Sequence, residues 1–221
     1  LGELAVGDKV YVAVGPGQGD GCDGFVWDFS LTREATTSNV IAGYQADFTA
    51  GSVAPGWSYS WNATGPIGTA ANYESLLWDG GYAFDSDGSP GPDAVPLAYG
   101  QLHGTGGHPG QGPDNGEATP RYVIAGYTAL GYGNYGLTNS SIQLGSCEWT
   151  DGLALEVYVN DEPRYSASVA YGSALTFDQV LGTLSTGDQI YVAVGPNGSD
   201  GCDGYDWDFS ITYDELPDPG S

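Results

Sequence analysis

The chain reads as an all-β protein, a jelly-roll type β-sandwich carrying an additional β-hairpin at its N-terminus. Three observations predict this. The 221 residues include 37 Gly, 16 Tyr and 6 Trp against 4 Lys+Arg, a turn-rich and aromatic composition. Short segments alternate apolar and polar residues at period two, with Gly, Pro and Asp clusters between them. No segment carries a convincing amphipathic helical period. A hydrophobic content of 40% sets the chain apart from disordered sequences despite its glycine.

At the N-terminus, residues 1–32 read as a hairpin: Lys9 to Val14 alternate, with Tyr11 and Ala13 on one face and Val10, Val12 and Val14 on the other, and Phe25 to Leu31 return. A polar linker to residue 36 separates it from a complete module over 37–213. Val40 to Phe48 is expected as a first strand and Gly56 to Trp61 as a second. In the latter Trp57, Tyr59 and Trp61 share one face, either as core or as a sugar-stacking row. Tyr73 to Trp78 is a short strand. Asp79 to Pro120 is expected as a long loop region holding most of the prolines and both histidines. Strands are then expected at Arg121–Tyr127, Ser140–Leu144, Leu153–Asn160, Arg164–Ala170, Ala174–Leu181, Gln189–Val194 and Tyr205–Thr212, some eight to ten in all. Residues 214–221 form an acidic, Pro-rich linker or tail.

The opening hairpin is a duplicate. LAVGDKVYVAVGPGQGDGCDGFVWDFSLT (4–32) and LSTGDQIYVAVGPNGSDGCDGYDWDFSIT (184–212) share turn, strand, breaker, acidic Cys loop and closing strand, 180 positions apart from Gly7 to Gly187. A two-stranded hairpin is marginal in water and leaves unpaired edges. The copy is therefore expected to pack on a neighbour through Tyr11, Val12, Val14, Trp27 and Phe29. The neighbour is an upstream module, this chain's own sandwich or another chain. The absence of Met and the start at Leu1 suggest a processed product or part of something longer.

A net charge of −24 leaves no basic patch for nucleic acid or an anionic membrane surface. No apolar run is long enough to span a bilayer. Three cysteines point to an oxidising, extracellular setting. Strand parity brings the loops of Cys147 and Cys202 to the same end of the sandwich, which predicts a disulfide contributing about 4 kcal/mol on the chain-entropy model. Cys22, the counterpart of Cys202, would find its partner upstream or on another molecule. Sequons stand at Asn62, Asn139 and Asn197.

Two acidic loops could hold Ca²⁺. In FDSDGSPGPD (84–93), Asp85, Asp87 and Asp93 set hard oxygen donors around a tight turn; in DGCDGYDWD (200–208), Asp200, Asp203 and Asp206 do the same, echoed by Asp20, Asp23 and Asp28. The competing reading is that Asp and Gly simply make turns. His103 and His108 with Asp114 and Glu117 match no established zinc spacing, so turn chemistry is the better reading there. No catalytic elbow, metalloprotease helix motif or phosphate loop occurs, and the chain is expected not to be an enzyme. Trp149, in a short loop after Cys147, is the aromatic most expected at the surface; with Tyr132 and Tyr135 it could stack on a sugar ring.

WSYSW (57–61), His-Pro-Gly-Gln (108–111), RYVIAGY (121–127), LEVYVND (155–161) and GDQIYVAVGPNGSDGCDGYDWDFSIT (187–212) carry a resemblance. Over about residues 38–213 the chain resembles jelly-roll modules of very large secreted or surface proteins of aquatic bacteria. The resemblance implies a carbohydrate-binding-module-like sandwich, often in tandem, and brings no catalytic residues. Two functions are therefore expected. The first is a structural subunit of an extracellular fibre or surface array, a homo-oligomer or polymer joined through the N-terminal copy and stabilised by Ca²⁺. The alternative is a carbohydrate-binding module that takes a polysaccharide.

Overall fold

The computed structural model describes residues 11–13, 39–145 and 147–217. The chain divides into two units, Leu1–Thr36 and Thr37–Ser221. Of the first, Tyr11–Ala13 is described, and these three residues carry no strand. Val14, Cys22, Trp27 and Phe29 lie outside the described residues.

The second unit is a sandwich of two antiparallel sheets. Its strands are β1 (Asn39–Gly43), β2 (Trp57–Trp61), β3 (Glu74–Ser75), β4 (Leu77–Trp78), β5 (Ala83–Asp85), β6 (Gln101–His103), β7 (Gly106–His108) and β8 (Val123–Thr128). They continue with β9 (Gly133–Leu144), β10 (Leu153–Val159), β11 (Glu162–Val169), β12 (Ala174–Thr176), β13 (Gln179–Leu184), β14 (Gln189–Pro196) and β15 (Tyr205–Glu215). One sheet has nine strands in the order β12-β9-β15-β7-β6-β5-β4, with β1 also on β15 and β13 also on β9. The other has six, β11-β10-β14-β8-β2-β3. The all-β sandwich expected from the sequence is present, with more and shorter strands than the sequence suggested.

Period-two patterning explains how the sheets face each other. In β15, Tyr205, Trp207, Phe209 and Ile211 are buried while Asp206 is exposed and Asp208 and Ser210 are half-buried. In β10, Leu153, Leu155, Val157 and Val159 point into the same core. Trp57 and Tyr59 of β2 are core residues, which settles the row between core and sugar platform in favour of core. β14 is buried on both faces because the loop carrying Ile67, Ala70 and Tyr73 covers a second cluster around Tyr122, Ile124, Tyr158 and Tyr191. Tyr73 meets Tyr191 edge-on at 5.2 Å.

Four expectations are corrected. Val40–Phe48 is not one strand: β1 ends at Gly43, and a single helical turn, α1 (Tyr44–Asp47), drops Tyr44 into the core against Trp207 at 5.0 Å. The Asp47 carboxylate fixes this turn by accepting from Gly43 N (2.9 Å) and Trp57 Nε1 (3.0 Å). Asp79–Pro120 is not a bare loop: β5, β6 and β7 extend the nine-stranded sheet from within it. Gly106 lets β7 approach β15, since a side chain there would run into the Tyr205 carbonyl. β9 begins at Gly133, not Ser140, because its glycines hide an alternation that buries Tyr135 and Leu137. Ala174–Leu181 is two strands, β12 and β13, both laid on β9.

The two strands of the duplicated motif do not pair with each other. β14 lies between β10 and β8 in one sheet; β15 lies between β9 and β7 in the other. Among the described residues no helix is long and apolar enough to cross a membrane.

Candidate functional site

The turn after β4 is built on Asp79, whose Oδ1 accepts from the backbone N–H of Gly81 (2.8 Å), Tyr82 (2.8 Å) and Ala83 (3.1 Å). Burial pushes this carboxyl upward, but the three N–H donors outweigh it and leave it below its ordinary value. The turn presents Tyr82 to solvent at the head of β5, 59% exposed. Its ring rests on His103 of β6, centroids 4.8 Å apart.

The loop after β5 folds back through Asp93. Asp93 Oδ2 accepts from Ser86 N (2.9 Å) and Ser86 Oγ (2.6 Å), and Asp93 N donates to Ala98 O (2.9 Å). Asp85 Oδ1 accepts from Gly88 N (2.6 Å), and Asp87 Oδ1 from Ser89 N (2.8 Å). Asp85 is 5% exposed. Burial and the charges of Asp93, Asp87 and Asp79 raise its carboxyl above the ordinary value, against the Gly88 N–H. The loop then returns past Tyr99, 57% exposed, whose ring lies 5.9 Å from that of His108 on β7.

Between these two tyrosines opens a cleft of about 340 Å³, lined among others by Asp79, Tyr82, Asp85, Asp93, Tyr99 and Gln101. Two exposed tyrosines, each with its ring near a histidine, share this cleft with carboxylates and an amide. Such a cleft can stack a pyranose ring and accept hydrogen bonds from its hydroxyls. Sequence reasoning found Asp85 and Asp93 and missed Asp79, Tyr82, Tyr99 and Gln101. Their signal was aromatic residues inside a Gly/Pro/Asp-rich stretch that otherwise holds small polar residues.

Among the described residues, one group of three acidic, His or Cys side chains brings donor atoms within 4.8 Å of one another: Asp85, Asp87 and Asp93. Asp200, Asp203 and Asp206 do not form a second such group among the described residues. Asp206 is exposed on the outer side of β15. Asp203 is 0% exposed: its Oδ1 accepts from Thr150 Oγ1, and its Oδ2 is buried without a hydrogen-bond partner. Burial pushes its carboxyl up to about 7; the Thr150 hydroxyl opposes this, and the charges of Asp151 and Asp200 add to it. Asp200 N donates to Asn115 Oδ1 (2.9 Å), Ser199 N to Asp151 Oδ2 (2.9 Å) and Asp114 N to Gly198 O (2.8 Å). Backbone N–H bonds of Asp114, Ser199 and Asp200, with the Thr150–Asp203 bond, knit three loops together.

The predicted disulfide is formed, Cys147 to Cys202, with Cα atoms 5.6 Å apart. It pins the loop on which Trp149 stands 82% exposed. Tyr135 does not join Trp149. It is buried in β9, and its hydroxyl donates to Gly131 O (3.1 Å) while accepting from Leu130 N (3.0 Å) and Gly131 N (3.2 Å). Tyr132 is half-buried just before β9, with its carbonyl accepting from Leu216 N (3.2 Å). The run of β9 from Tyr135 to Leu144 separates both from the Trp149 loop by on the order of 30 Å of strand.

His103 and His108 sit on paired strands behind the two tyrosines, and burial holds both imidazoles below their ordinary values. Glu117 is engaged by Arg121 at 2.9 Å, so no zinc group forms with it. Asn62 is fully buried, its Nδ2 donating to Gly65 O (2.8 Å) and Pro120 O (3.0 Å) and its Oδ1 accepting from Tyr122 N (2.6 Å). In the fold that nitrogen is closed to a glycan. Asn139 is exposed, and Asn197 is exposed as well.

No protein family and no curated protein matches this chain. Among solved structures it is similar to the CBM51-2 and INT domains from Clostridium perfringens ZmpB, at 13% identity and a TM-score of 0.33 over 63% of this chain and 31% of that one. The same domains in complex with GlcNAc give 14% and 0.31 over 44% of this chain and 22% of that one. Beta-glucosidase from Kluyveromyces marxianus in complex with glucose gives 12% and 0.26 over 74% and 17%. The chain thus spans less than a third of the length of each, and at these scores none of them places it in a family.

Proposed function

We propose that this chain is a non-catalytic, extracellular β-sandwich module that binds carbohydrate in the cleft between Tyr82 and Tyr99. The observation that carries the reading is the cleft itself: two exposed tyrosines, each with its ring near a histidine, in a cleft that Asp79 and Gln101 also line. Tyrosine faces stack on the C–H face of a sugar, and the Asp79 carboxylate and Gln101 amide take its hydroxyls. With a net charge of −24 the ligand class is neutral or amino sugars, since acidic polysaccharides would be repelled. Affinity electrophoresis and calorimetry against neutral, amino and acidic polysaccharides test this. Tyr82→Ala and Tyr99→Ala, both surface changes, should each weaken binding of the preferred glycan at least tenfold, and Trp149→Ala should not. Flat results across the panel, or binding indifferent to both tyrosines, would remove the proposal.

A second reading is favoured by the separation of β14 and β15 into different sheets. The segment 4–32 repeats the sequence of that pair, and a motif of this kind needs strand neighbours in two sheets at once. Supplied by another copy of the chain, those neighbours would make 4–32 an assembly element, with Tyr11, Val12, Val14, Trp27 and Phe29 as its apolar contacts. The solution mass of the full chain tests it. A concentration-dependent oligomer dispersed by Trp27→Asp supports assembly, whereas a monomer at all concentrations rejects it.

A further inference from the structure

We propose that the Asp85–Asp93 loop holds one divalent cation, Ca²⁺, on the carboxylates of Asp85, Asp87 and Asp93, and that this ion fixes one wall of the cleft.

One donor oxygen from each of the three lies within 4.8 Å of the other two. Three negative charges at that spacing, one of them on the buried Asp85, repel strongly unless a positive charge sits among them. The described residues do not supply one. Of the two described arginines, Arg121 is bound to Glu117 and to the carbonyls of Asn62 and Ala63, and Arg164 lies on β11 in the other sheet.

A separate observation points to a ligand. Asp93 Oδ1 is shut off from solvent and takes no hydrogen bond, although Oδ2 of the same carboxylate takes two from Ser86. A carboxylate oxygen closed to solvent and without a donor is costly, and a cation is a partner that satisfies it. Backbone N–H groups hold one oxygen each of Asp85 and Asp87, which leaves the second oxygen of each for the ion. The set is all hard oxygen, without His or Cys, and it hangs on an irregular loop with left-handed glycines at 88 and 91. That favours Ca²⁺ over Zn²⁺, and over Mg²⁺, which demands near-ideal octahedral geometry.

Asp85 and Asp93 also line the cleft of the sugar reading, but the test uses metal alone, so its failure and the failure of sugar binding are distinguishable. The chelator-treated full chain is titrated with Ca²⁺ by calorimetry and with Tb³⁺ by tryptophan-sensitised luminescence, and thermal unfolding is recorded with and without Ca²⁺. One site is expected, with a Kd on the order of 0.01–1 mM and a higher melting temperature in calcium. Asp87→Asn changes an exposed side chain and should weaken Ca²⁺ at least tenfold with an unchanged circular dichroism spectrum. Asp93→Asn should do the same, and Asp206→Asn should leave affinity intact. Absence of saturable binding, binding unaffected by both loop variants, or equal affinity for Mg²⁺ would overturn the assignment.

Discussion

The loops 85–93 and 200–206 look alike in sequence, each with three aspartates among glycines and a tight turn, yet they do opposite things. In the first, three carboxylates converge within 4.8 Å beside an open cleft. In the second, the three acids form no such group: the backbone N–H of Asp200 is tied to Asn115 in the 112–117 turn, Asp203 is buried against Thr150, and Asp206 is exposed on β15. Composition is shared and aim is not. The difference arises from where each loop leads. Asp85–Asp93 closes on itself through Ser86 and Ala98, whereas 200–206 runs straight into a central strand whose pleat sends alternate residues to opposite faces.

The largest test of this contrast is removal of the disulfide. The paired change Cys147→Ser and Cys202→Ser should lower unfolding free energy by about 2–4 kcal/mol in urea titrations, because the bond closes a 55-residue separation. It should leave the 85–93 loop unchanged, and cation binding lost with the disulfide would erase the distinction between the loops.

Asp203 gives the next effect, through pH. Its folded carboxyl is raised to about 7, above an unfolded value of about 3.9, so the fold binds the proton more tightly. This contribution is therefore most favourable below pH ~4, is lost as pH rises towards ~7, and stays lost above. Asp203→Asn keeps an acceptor for Thr150 and removes the charge. At pH 8 it should stabilise by about 1–2 kcal/mol, on the order of 3–6 °C in melting temperature, and at pH 4 by nearly nothing. A variant less stable than the parent at pH 8 would show that the ionised carboxylate is favourable where it lies.

In the first loop, Gly88 has a φ of 71°, and a Cβ there would sit 3.1 Å from Leu77 Cβ. Gly88→Ala should cost about 1–2 kcal/mol in thermal unfolding. The smallest effect belongs to Asp206→Asn, within about 0.5 kcal/mol, as for an exposed residue with no such role. A large loss there would give the second loop a function that its geometry does not suggest.

The same contrast marks what a sequence can carry. Alternation at period two found β2, β8, β10, β14 and β15, because these strands are long enough to express it and one face is core. It missed β5, β6 and β7, whose three residues each give no period and whose pairing is decided by the sheet edge they join. It missed the turn at Tyr44, since Tyr-Gln-Ala-Asp continues the alternation of β1, and it is the Asp47 bonds to Gly43 and Trp57 that bend the chain. Strand parity placed Cys147 against Cys202, and the exposure of Trp149 came with the same short loop. Tyr135 was misread because Gly133 and Gly136 hid the strand around it. Of the candidate site, the carboxylates were legible as chemistry, but Tyr82 and Tyr99 are brought together by a fold-back between residues 85 and 98 that leaves no periodic trace.

The position of β14 and β15 has a consequence for how this module comes to exist. Each occupies the middle of its sheet, and they are the last two strands of the module to leave the ribosome. Until β14 arrives, β10-β11 and β8-β2-β3 have no strand between them; until β15 arrives, β9 with β12 and β13 is likewise separated from β7 through β4. The emerging chain is therefore a set of unjoined ribbons with exposed apolar faces. A chain truncated before residue 189 is accordingly expected to join neither sheet and to aggregate where the full module does not.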